Sequence, residues 1–253
     1  PTTMGLTFAR FYAEMERVVA PRHMPAMGEV TGPPSRRLRV GVLGEIPGQV
    51  TIDEPTRETL ASTASLLEDL GHHVEDTTPP VDPDQFRDDF IFYFRFLVYS
   101  ATTSAQLIHG SHYDKSKLTN FSQCMAASFR AQPARIVGVS RRLRRVRSLL
   151  AGMHERFDVV LSPTVATVPP ELGYLGTDVE FETLLSRIAA WMPYTPLANA
   201  GGTPPITLPM GFDEDTHQPV GAMLSATFGD DALLVQLGIE LEAARPWDLA
   251  LLR

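Results

Sequence analysis

Between residues 38 and 76 two short apolar runs flank one leucine-striped segment, and that order leaves few folds open. "LRVGVL" (38–43) reads as a buried strand, followed by the loop "GEIPGQVTI". Asp53 can cap the next helix, with Pro55 in its first turn. Leu60, Ala64, Leu67 and Leu70 form the apolar stripe of that helix, Gly71 suits the position just past its end, and "HHVED" is the following short strand. Strand, helix, glycine and strand over about forty residues make a βα unit that returns to its own sheet.

The rest of the chain repeats the alternation. Residues 1–20 read as a helix, with Leu6, Phe8, Phe11, Tyr12, Met15, Val18 and Val19 at helical spacing. Residues 20–37 hold four prolines and two glycines without periodicity and form a connector. Residues 82–132 read as helical and aromatic-rich, with a break at His109, Gly110 and Ser111. Ile136, Val139, Leu143, Val146, Leu150 and Met153 line one face of a helix over 134–156, and arginines fill the rest as a solvated face. "FDVVLSPT" (157–164) is a second buried strand, "FETLLSRIAAWM" (181–192) a helix cut off by Pro193, and 230–244 the last helix. "PITLPMGF" and "PVGAMLSATF" are two strands joined by an acidic turn. The expected class is α/β, a layered α/β/α arrangement with a mixed sheet flanked by helices. Residues 1–37 stand as an amino-terminal helix and connector, and 38–253 as one larger domain.

Several chemistries find no support. Gly41, Gly44 and Gly48 lack the spacing of a phosphate loop, and no Gly-Lys-Ser/Thr follows. His72 and His73 point to opposite sides of a strand, and His109 and His112 lie three apart with no acidic ligand at the His-Glu-x-x-His spacing, so neither metal nor cofactor is expected. Lys115 and Lys117 are the only lysines among 22 basic residues and lie in a polar, solvent-facing stretch. No Gly-x-Ser-x-Gly elbow occurs, and no Gly/Ser-rich turn offers oxyanion donors. A net charge of −8 argues against nucleic acid or an anionic membrane as partner. The single cysteine, Cys124, fits a reducing, cytoplasmic setting. The missing initiator methionine points to a start within something longer.

One stretch combines stiffness and freedom. "NAGGTPPITLPMGF" (199–212) sets glycines beside prolines directly ahead of a strand and reads as a rigid loop held against something else.

That stretch, "LRVGVL", "LEDLGHHVED", "FDVVLSPT" and "QPVGAMLSATFGDDALLVQLGIELEAARPW" together resemble, in order and spacing, the carboxyl-terminal half of the amidase signature family, over about residues 36–247. The resemblance implies hydrolysis of linear carboxamides by a Ser-Ser-Lys set that lies upstream of anything matched here. No position takes a catalytic role, and the chain alone is expected to be inactive. Pocket-lining positions implied by the family are Thr164, Trp191, Tyr194, Thr195, Asn199, Gly201 and Gly202. The expected partners are a small amide and a complementary amino-terminal half, in the same or another polypeptide, packed on the Gly-Pro loop and "FDVVLSPT"; a homodimer is also open. Two other readings stand beside this one: a non-catalytic scaffold, and part of an aminoacyl-tRNA amidotransferase A subunit.

Overall fold

The computed structural model describes residues 4–19, 26–46 and 50–247, the side chains of Gln106, His109 and Ser111 excepted. Part of the connector (20–25), part of the loop after the first strand (47–49) and the His109 and Ser111 side chains therefore lie outside the described residues. In chain order the elements are α1 (Met4–Val18), β1 (Arg39–Val42), α2 (Glu54–Asp69), β2 (His73–Asp76), α3 (Pro83–His109), α4 (Asn120–Ala131), α5 (Arg135–Arg156), β3 (Val159–Pro163), α6 (Phe181–Trp191), α7 (Thr195–Gly201), β4 (Pro205–Asp213), β5 (Gln218–Ala226) and α8 (Asp231–Ala244).

The five strands order as β2-β1-β3-β5-β4. β1 runs parallel to β2 and β3, whereas β5 runs antiparallel to β3 and β4, so the sheet is mixed as expected. The β1–α2–β2 unit closes through the predicted signals. Asp53 accepts from Thr56 N–H at 3.0 Å, Pro55 sits in the first turn, and Gly71 adopts φ +89°.

Alternation along each strand divides the core in two. Leu38, Val40, Val42, Val159, Leu161, Leu208, Met210, Leu224 and Ala226 face α2 and α8, meeting Leu60, Leu67, Leu234, Leu237 and Leu241. On the other face Val160 and Met223 meet Leu143, Val146, Leu150 and Met153 of α5, together with Phe92, Phe129 and Tyr194. All five residues of β3 are buried, so this strand is the spine of the sheet. Each fully buried leucine there contributes about 1.5–3 kcal/mol of transfer free energy. Among the described residues β3 is paired on both sides, and the edges of the sheet are β2 and β4.

The structure also revises the Gly-Pro stretch. Asn199 and Gly201 are the closing residues of α7, which begins at Thr195–Pro196 and ends when Gly202 turns to φ +69°. A helix preceded by Pro193 was not visible because seven residues give no readable periodicity. α1 differs in a second way. On its inner face Ala9 and Leu6 pack with Val30 and with Val235 and Ile239 of α8, and Ala13 is buried too, while Met4, Phe8, Phe11, Met15 and Val18 are exposed.

Candidate functional site

The carboxyl ends of β1 and β3 and the segment 164–168 form one polar, tightly tied corner. Asp53 holds it from α2: its backbone N–H donates to Ala166 O at 3.1 Å, and its second carboxylate oxygen accepts from Val168 N–H at 2.8 Å. Trp191 holds it from α6, donating Nε1–H to Thr167 O at 3.2 Å while its carbonyl accepts from Ala166 N–H at 2.8 Å. Tyr194, itself buried, donates its hydroxyl to Gly44 O at 3.1 Å. Burial, with the nearby Glu45 charge adding, pushes the Tyr194 phenol well above its ordinary range, so it acts as a neutral donor.

Thr164 opens the surface beside this corner. Its N–H donates to Gly221 O at 3.3 Å, and its hydroxyl donates to Thr207 Oγ1 at 3.3 Å. A Cβ on Gly221 would come within 2.9 Å of both Thr164 Oγ1 and Thr207 Cγ2, so the glycine is what lets the two threonines meet. Leu208 and Met210 of β4 are buried, while Pro205 and Thr207 stand exposed and Pro209 half-exposed. The result is an uncharged strip of hydroxyl and proline surface, able to hydrogen-bond an amide and to pack its apolar part.

The seven sequence-predicted residues fall into two groups. Thr164, Trp191 and Tyr194 gather where β1 and β3 end, and Thr195 follows as the first residue of α7. Asn199, Gly201 and Gly202 lie at the far end of α7, where Pro204 O accepts from Ala226 N–H opposite the start of β3. Four residues of β4 separate the Thr164 level from the Pro205 level, about 13 Å. Asn199 and Gly202 are exposed. Gly201 is buried, and a Cβ there would collide with Leu150, so packing against α5 already accounts for its small size. Sequence reasoning missed Thr207 and Gly221. A lone glycine inside the alternating "PVGAMLSA" run was the available signal for a close approach.

Several titratable groups outside this strip have other partners. His72 Nδ1 accepts from Leu38 N–H at 3.0 Å, so Nε2 carries the proton and donates to Glu240 at 3.1 Å. Burial lowers the pKa of His154, whose Nδ1 faces Phe157 O at 3.2 Å. Ser116 donates to Asp114 at 2.7 Å, but hydrogen bonds hold that exposed carboxyl below the usual range and weaken it as a base. Lys115 and Lys117 flank it in solvent. Among the described residues no three His, Cys, Asp or Glu side chains are grouped to hold a metal ion, and no helix is long and apolar enough to cross a membrane.

Against known proteins, residues 11–235 match the family model described as Amidase. "Putative amidase AmiC" of Mycobacterium leprae is 37% identical over 239 residues, 94% of this chain and 50% of that protein. The "6-aminohexanoate-cyclic-dimer hydrolase" of Pseudomonas sp. (strain NK87) is 30% identical over 83% of this chain and 44% of its own length. Among solved structures, a 6-aminohexanoate cyclic dimer hydrolase complexed with substrate superposes with a TM-score of 0.78 at 24% identity, over 92% of this chain and 50% of that one. The chain thus spans about half the length of the curated relatives it matches.

Proposed function

Because the chain belongs to the amidase signature family, we propose that it forms the substrate-facing carboxyl-terminal part of an enzyme that hydrolyses linear carboxamides. In that reaction water adds across the C–N bond, giving a carboxylate and ammonia or an amine. The attacking serine and its serine–lysine partners belong to the half of a family-length enzyme that this chain does not match. The chain's own contribution is a wall: the Thr164–Thr207 pair to orient the amide, and Pro205 and Pro209 to pack its apolar part. Trp191 and Tyr194 fix the neighbouring turn. The observation that carries this reading is the open strip of hydroxyl and proline surface over Gly221, held rigid at one end by Asp53, Trp191 and Tyr194.

The complementary half packs on this strip and on the Gly202–Pro205 turn rather than along β3. The test is ammonia release from small aliphatic and aromatic amides by the chain alone and mixed with the amino-terminal half of the Mycobacterium leprae relative. Turnover is expected only in the mixture, and Thr164→Val/Thr207→Val should raise KM there. Turnover by the chain alone would end the reading.

A further inference from the structure

α1 is held firmly on one side and left open on the other. Glu242 of α8, itself buried, accepts from the N–H groups of Met4 and Gly5 at 2.7 and 2.8 Å, satisfying two free donors of the first turn. Gly5, Ala9 and Ala13 let the helix lie close; a Cβ on Gly5 would stand 2.9 Å from Ile239. On the opposite face Met4, Phe8, Phe11, Met15 and Val18 follow one another at intervals of four, three, four and three residues, each between 48% and 83% exposed. That interval is the seam of a helix that packs against another helix. With Val19 it presents on the order of 600 Å² of apolar surface, the scale of one side of a standard interface. Surface of this size marks a contact site.

Two observations decide what covers the seam. The chain spans half the length of its relatives, and the family match already includes Phe11, Met15 and Val18. A second copy fits poorly. Antiparallel pairing about Phe11 would set Arg10 opposite Tyr12 and Arg17 opposite Gly5, with no charge match, and each copy carries −8.

Resting on the amidase reading, we propose that the α1 seam is the docking surface for an amphipathic helix of the complementary amidase half, a second contact separate from the Thr164–Thr207 strip. α1 would then clamp the two halves together from the α8 side of the sheet while the strip meets substrate.

Phe8→Glu/Phe11→Glu tests this, because both rings are exposed and the fold should survive, as unchanged circular dichroism and Tm would verify. The chain and this variant are titrated by calorimetry with the amino-terminal half of the Mycobacterium leprae relative, and sedimentation gives the mass of each alone. The proposal expects a wild-type monomer that binds the half, and affinity at least tenfold weaker in the variant. Equal affinity of wild type and variant overturns the docking site while leaving the amidase reading intact. A wild-type dimer that the variant dissolves also overturns it, assigning the seam to a second copy. Docking that depends on Phe8 and Phe11 in a mixture that hydrolyses no amide keeps the surface and removes the amidase reading. Absence of any binding by wild type overturns the proposal, and hydrolysis in the mixture then separates its failure from that of the reading.

Discussion

A methyl group built on Gly211 falls on Thr59 Oγ1 and within 2.8 Å of its Cβ, and Thr59 is buried and donates to Pro55 O at 2.7 Å. A β-branched residue locked by its own hydrogen bond has little room to yield. Gly152, on the exposed side of α5, meets nothing within 4 Å. Gly211→Ala should therefore destabilise by about 1–3 kcal/mol, and Gly152→Ala should stabilise by up to about 1 kcal/mol. The check is urea unfolding midpoints moving in opposite directions. Legibility at this scale followed distance along the chain. Asp53 as a cap could be read from its neighbour Pro55, but its second bond, to Val168, could not, because 115 residues separate the two. Tyr194 was named through the family resemblance, whereas its partner, a backbone carbonyl at Gly44, leaves no mark in sequence.

At the scale of elements, the two strands that begin side by side, β1 and β3, are tied by one carboxylate. Asp158 accepts from Arg36 at 2.9 and 3.0 Å, from Arg39 Nη2 at 3.1 Å and from Arg39 N–H at 2.8 Å. The hydrogen bonds from Arg36, then those from Arg39, hold its carboxyl well below the ordinary carboxylate range. A depressed folded-state pKa stabilises fully above the unfolded value, roughly 3.9, and that stability is lost as pH falls through and below it. Asp158→Asn should cost about 1–2 kcal/mol at pH 7, a figure held down because both guanidiniums are half in water. The deficit should shrink as urea titrations move from pH 7 to pH 3. Amphipathic stripes made α2 and α5 legible, and alternation did the same for the β4–β5 hairpin. The arginines of α5 were only partly so: Arg142, still partly in solvent, pairs with buried Asp89 at 2.6 Å, a contact set by α3. α1 was legible as a helix but not in orientation, because its large apolar residues pointed to a core while the alanines took that place.

For the whole molecule, the order β2-β1-β3-β5-β4 leaves β4 as a nine-residue border strand. Ala226 N–H donates to Pro204 O, which fixes the ladder phase: the backbone groups of Pro205, Thr207 and Pro209 point away from β5. Two of those three residues have no N–H, so Thr207 supplies the single outward donor between 205 and 209. The sequence announced the prolines but not the side on which their missing hydrogens would fall. That phase has a practical outcome. A strand looking for a template needs donors in register, and this rim withholds them. Concentrated protein left to stand should stay dark with thioflavin T for days. Restoring the amides with Pro205→Thr/Pro209→Thr should shorten the time to fibre growth, turning a quiet border into a seed.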